Sequence, residues 1–321
     1  MSNGLWTYSG SSTAGSNVVN NTGSTSTGGE LVLQAAAAYS TNPIYLIGPG
    51  NANLGGTVAL SFSGTTLLTN RAPITLVGNS SYIINAQDGN AYPPTNYLSG
   101  GITRSGGTGT LILYPTGKFN LPGTEFSNAC LLVVSSVINN NGGPLTLAGG
   151  NVGEVLVATN GHNIGDTTIT FNGTSLNPSN NFFAVMGIAN ALNTNANLNV
   201  NYGTYDLNGY VQTVSNLTVG ASGTVQFSVN RANPAAASGY LVVKGAATIS
   251  GGTLTVTNTG AAFQTNDIIQ LFSEPVSGSF STVNLPPGYN WLNLLNVNGS
   301  IRVVPPRSGP QSFYVSPAGD T

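Results

Sequence analysis

Between Tyr202 and Val304 the chain keeps repeating one local pattern: a short apolar or alternating run, then Gly-Thr, Asn-Gly or Gly-Gly. Runs such as TVQFSV (Thr224–Val229) and TLTVT (Thr253–Thr257) put apolar residues at every second position, the period of a strand with one buried face. Gly and Asn tolerate positive φ, so the punctuation marks corners. A chain written this way folds as all-β. Two architectures fit: a parallel β-helix (β-solenoid), or tandem antiparallel β-sandwich domains. Gly-Thr precedes an apolar run at Gly56-Thr57, Gly109-Thr110, Gly203-Thr204, Gly223-Thr224 and Gly252-Thr253. The last three are 20 and 29 residues apart, a spacing that suits one turn of a solenoid with a variable loop. Asn-Gly hairpin signals are sparse, at 172–173, 208–209 and 298–299, which favours the solenoid.

Only 5% of the 321 residues are charged, against roughly a quarter in an average soluble domain, so solubility rests on Ser, Thr, Asn and Gln. Hydrophobic residues make up 40%, enough for a packed core, and the net charge of −2 lacks the excess that accompanies disorder. Seven Lys and Arg spread along the chain form no basic patch, so nucleic acid is not expected as a partner. Cys130 stands alone in ACLLVVSS and reads as a small buried hydrophobe rather than a reactive thiol. No apolar run reaches the length of a membrane span, and MSNGLWTYSGSS lacks the basic-then-apolar order of a signal peptide.

Upstream of residue 202 the strand candidates are Ile44–Ile47, Thr57–Phe62, Ile74–Val77 and Ser81–Ile84, then LILY, LLVVSSVI, PLTL, EVLVA, TTITF and FFAVM up to Met186. ELVLQAAAAYS (Glu30–Ser40) alternates like a strand but ends in four alanines that suit a helical turn. The Pro-containing loop Gly89–Gly101 suggests a boundary. It gives a β-rich region 1–101 (first solenoid turns or a separate domain), a repeat region 102–305, and a tail or following module at 306–321. The Asn-laden stretch before Tyr202 is either a solvated loop or a set of stacked Asn ladders.

The residues that carry chemistry are thinly spread. The nine acids are Glu30, Asp88, Glu125, Glu154, Asp166, Asp206, Asp267, Glu274 and Asp320, with no two adjacent or alternate. Glycoside hydrolysis needs two carboxyl groups within about 10 Å, which only the fold could assemble here. Neither Arg231 nor Lys244 has an acid close in sequence. The single His162 rules out His-paired metal sites, and its only nearby acid is Asp166. Asp206 and Asp267 suit corner capping through backbone N–H groups. Tyr205, Tyr210, Phe227, Tyr289 and Trp291 could form a sugar platform, or cover the core and the end of the solenoid. No catalytic, cofactor or metal residue is assigned, and no cofactor is expected. Five Asn-x-Ser/Thr sequons, Asn79 and Asn172 among them, would permit glycosylation.

Three phrases, GTYDLNGYVQTV (Gly203–Val214), NLTV (Asn216–Val219) and GGTLTV (Gly251–Val256), resemble the autotransporter-associated β-strand repeats of bacterial surface proteins. DIIQLF (267–272), SGSFSTVNLPPGYNW (277–291) and NGSIRVV (298–304) resemble the end of such passenger regions, and NGSIRVV would mark where one solenoid stops. In the tail, FYVSPAGD (313–320) is similar to the first strand of secreted pectate-lyase-like β-helix domains. The resemblance implies an extracellular parallel β-helix with an adhesive, scaffolding or coat role. The expected function is a non-enzymatic structural protein at the cell surface that associates with itself into a layer or filament through β-edges. A carbohydrate-binding adhesin is the alternative, and a glycan lyase or hydrolase the weaker third. The partners expected are further copies of the chain and surface glycans.

Overall fold

A computed structural model describes residues 5–8, 17–20, 30–34, 43–48, 58–64, 68–88, 95–116, 130–149, 153–157, 167–172, 182–231 and 239–306. These residues are almost entirely β, and all but two of the strand pairings are parallel.

One ladder begins Leu5–Tyr8, Glu30–Gln34, Val58–Gly64, Tyr82–Asp88, Leu111–Thr116, Leu145–Leu147 and Thr168–Phe171. It continues through the first halves of Asn197–Asp206 and Asn216–Val229, then Ala247–Ser250 and Ser277–Ser279. A second ladder carries Leu68–Asn70, Thr95–Leu98, Cys130–Val134, Gly153–Val157 and Phe183–Met186. The second halves of the same two long strands, then Thr253–Asn258 and Thr282–Asn284, complete it. A third stacks Asn17–Asn20, Ile44–Ile47, Ile74–Val77, Ile102–Ser105 and Ile138–Asn139, and later Val211–Val214 on Tyr240–Val243. The chain visits the ladders in turn, an arrangement consistent with a β-solenoid. Antiparallel pairing, which sandwiches would need throughout, is confined to the C-terminal sheet.

Alternation explains why these segments stack. Leu60, Ile84, Leu113, Leu147, Phe171, Val200, Val219 and Ile249 form one continuous inward column, and every member is buried. Ile44, Ile74, Ile102 and Ile138 form another on the third ladder. A side chain buried this completely contributes about 1.5–3 kcal/mol through removal from water. A one-residue slip would turn a whole column outward.

The Gly-Thr repeat is a register mark. Gly203 pairs with Gly223 and Thr204 with Thr224, and Thr224 then pairs with Thr253. Backbones approach so closely there that a Cβ on Gly223 would lie 2.0 Å from the Val200 carbonyl oxygen. Asn208-Gly209, which reads as a hairpin signal, instead makes a corner. Both residues are left-handed (φ 47° and 78°), and the strands on either side join different ladders.

Pairing runs on through the Gly89–Gly101 boundary: Ile74–Val77 stacks on Ile102–Ser105 and Tyr82–Asp88 on Leu111–Thr116. That is the arrangement expected if residues 1–101 hold the first turns. Glu30–Gln34 is a strand; the alanines after it, and the tail from residue 307, lie outside the described residues.

The C-terminal residues close one end. Ile268–Gln270, Ser300–Val304 and Asn290–Leu294 form a three-stranded antiparallel sheet, with the short helical turn Leu295–Asn298 between its last two strands. Asn296 Nδ2 donates to the carbonyls of Val276 and Gly278, and the Leu271 and Phe272 N–H groups donate to Gly299 O. The last rungs of the first and third ladders are thereby covered.

Candidate functional site

The buried polar groups are corner fixtures. Arg104 occupies an inward position in register with Leu76, where the preceding rungs carry Leu46 and Leu76. Its side chain is 7% exposed and lies over the Tyr82 ring, 5.1 Å from the centroid. Arg104 Nε donates to Asn140 Oδ1 at 2.7 Å, and Nη1 to the carbonyls of Gly78 (2.6 Å) and Ser80 (3.0 Å). No described carboxylate pairs with this cation, and burial pushes the guanidinium below its usual range. Asn140 Nδ2 carries the link onward to Gly109 and Pro144. Gln212, also fully buried, accepts from the Ala191 N–H and donates to Ile188 O. Each ties successive rungs together where the backbone turns.

The described carboxylates serve the backbone too. Asp206 accepts the Asn208 N–H at 2.8 Å and the Gln226 amide at 2.9 Å; burial nonetheless raises its carboxyl above the usual range. Asp267 accepts the Gln264 N–H at 2.7 Å and pairs with Arg231 at 2.5 Å. Burial pushes the Asp267 carboxyl up, while the Arg231 and Gln264 hydrogen bonds and the Arg231 charge pull it down and prevail. Both aspartates therefore cap corners, as the sequence suggested. Arg231, without an acid near it in sequence, finds one 36 residues away. Lys244 donates to Asn195 Oδ1 and Arg302 to Asn266 Oδ1.

The five candidate aromatics do not assemble into a platform. Tyr205 is buried edge-on against Phe171, and Phe227 against Phe272. Tyr289 and Trp291 cluster with Phe263 beside the C-terminal sheet, where the Tyr289 hydroxyl accepts the Phe263 N–H. Tyr210 is exposed by itself. Cys130 opens the strand Cys130–Val134, but its side chain, with His162 and Asp166, lies outside the described residues. Among the described residues no three His, Cys, Asp or Glu side chains gather as a metal site, and no helix is long and apolar enough to cross a membrane.

What the ladders present outward is regular and uncharged. On the first ladder Thr146, Thr170, Asn199, Thr218, Thr248 and Ser277 stand in register on six consecutive rungs. On the second, Thr204, Thr224, Thr253 and Thr282 form a four-residue threonine column. At one edge Asn216 Nδ2 donates to Asn197 Oδ1 at 2.7 Å, so the Asn-rich stretch does form a side-chain ladder there. Sequence reading missed these columns because their members are 19 to 30 residues apart.

One rung is left open. Thr282–Asn284 ends the second ladder, all three residues are exposed, and no described strand pairs with its outer edge. Val283 continues the inward column Tyr205, Val225, Leu254, each fully buried, yet Val283 itself is 37% exposed.

Compared with known proteins, the chain matches no family model, no curated protein and no solved structure. The likeness to autotransporter-type repeats therefore rests on the quoted phrases alone.

Proposed function

We propose that the chain is a parallel β-helix and a non-enzymatic, extracellular structural protein of a cell surface, which associates with further copies of itself through an exposed β-edge. The open rung Thr282–Asn284 carries this reading. It leaves a row of backbone donors and acceptors, and one core-facing valine, at a surface where the neighbouring ladder ends are covered. Unpaired edges of this kind recruit another strand. Pro286 and Pro287 follow at once and keep the edge short, so the contact is weak and strengthens with concentration. The described carboxylates are engaged in corner capping or, for Glu274, stand exposed beside Tyr240, which supports a non-enzymatic role. Sedimentation velocity across a concentration series, with negative-stain micrographs, tests it. The native chain should form dimers or fibres that Val283→Lys abolishes; a monodisperse monomer at high concentration without fibres contradicts the proposal.

A carbohydrate-binding adhesin is the second reading, favoured by the neutral hydroxyl and amide columns. Retention on neutral glycans, abolished by substitutions in those columns, would favour it over self-association.

A further inference from the structure

We propose that the outer face of the first ladder, centred on Thr146, Thr170, Asn199, Thr218, Thr248 and Ser277, binds crystalline water. The six side chains project from consecutive parallel rungs, so they repeat at about 4.8 Å along the column, and the next outward position on each strand lies about 6.7 Å away. Ser250 and Ser279 stand in register beside Thr248 and Ser277. The result is a fixed two-dimensional array of small hydroxyl, methyl and amide groups.

Three properties separate this array from the other outward columns. None of the six side chains makes a hydrogen bond to another described residue, so their donors and acceptors are left to solvent. On the second ladder Gln226 is tied to Asp206, Ser228 to Thr257, and Asn284 to Thr255. None of the six can ionise, and a charged group would hold a tight hydration shell of its own in place of a lattice. The backbone beneath is held by neighbouring strands and by the buried columns behind it, so positions are set before binding and ordering costs little.

The size of the face argues against two other occupants. Six rungs by three outward positions cover about 24 by 13 Å, near 300 Å², whereas a stable protein interface needs about 800 Å² per partner. Sugar sites are built around aromatic faces, and the six-residue column has none. Ordered water needs neither: it needs repeated, fixed, uncharged hydrogen-bonding positions, each worth about as much as a direct bond.

Ice-affinity partitioning and thermal hysteresis, measured on the native chain, Thr218→Lys and Thr255→Lys, test this. All three should show the same far-ultraviolet circular dichroism, because both substitutions are outward. The native chain and Thr255→Lys should enter growing ice and shape its crystals; Thr218→Lys should lose both properties. Exclusion of the native chain from ice overturns the proposal. Equal loss in both variants overturns the assignment to this face. Retention on insoluble neutral glycan that depends on Thr218, without ice binding, makes the face a sugar site instead. None of these results bears on self-association through Val283, which the sedimentation series tests separately.

Discussion

Tyr205 shows how little slack the interior has. Its ring is fully buried edge-on to Phe171, while its hydroxyl has no partner, and burial drives its ionisation far above the usual tyrosine range. A buried hydroxyl without a hydrogen bond costs about 1–3 kcal/mol, so Tyr205→Phe should raise stability by about 1 kcal/mol in urea unfolding. Arg104 is the opposite case, since its guanidinium serves three acceptors from different rungs. Arg104→Leu restores the leucine of the preceding rungs but strands Asn140 Oδ1 and two carbonyls, and should cost about 2–4 kcal/mol. Neither effect is legible in the sequence. The alternation in ITRS does place Arg104 inward with Ile102, but Asn140 lies 36 residues on, and only the stacking brings it within reach.

At the scale of the elements, two aspartates with similar sequence settings behave oppositely with pH. The folded-state value of Asp267 lies below its unfolded value of about 3.9, so its contribution is complete above that pH and fades as pH falls through the folded value. Asp267→Asn should therefore weaken the attachment of the C-terminal sheet near neutrality and make no difference in strong acid. Asp206 is held above its unfolded value by burial, so its charge costs stability at neutral pH, and that cost disappears as pH falls through the raised value. Asp206→Asn should be neutral to stabilising at pH 7, with no advantage below about pH 3. Paired urea midpoints at the two pH values check both signs. The strands themselves were legible, because period-two alternation and Gly corners are local signals: Ile44–Ile47 and Ile74–Val77 fall where they read. The antiparallel closing sheet was only half legible. NGSIRVV marked a terminus, but its partners, Ile268–Gln270 and Asn290–Leu294, read like any other strand. Asn208-Gly209 misled for a related reason, since a hairpin and a solenoid corner demand the same positive φ.

For the whole molecule, one local clue pointed to long-range order: Gly-Thr at spacings of 20 and 29, which the structure places in register. That register is the central claim, since the columns, the open rung and the outward array all depend on it. Disulfide trapping tests it directly. In a Cys130→Ser background, cysteines replacing Thr224 and Thr253 would sit on paired Cα positions about 4.8 Å apart, within the roughly 4.4–6.8 Å that a disulfide spans. Cysteines at 224 and 257 would be separated by four further residues of strand, about 13 Å, and could not bridge. Under mild oxidation the 224/253 pair should close quantitatively within the monomer while 224/257 stays reduced. Failure of 224/253 to close, or closure of 224/257 in its place, would contradict the parallel, in-register account.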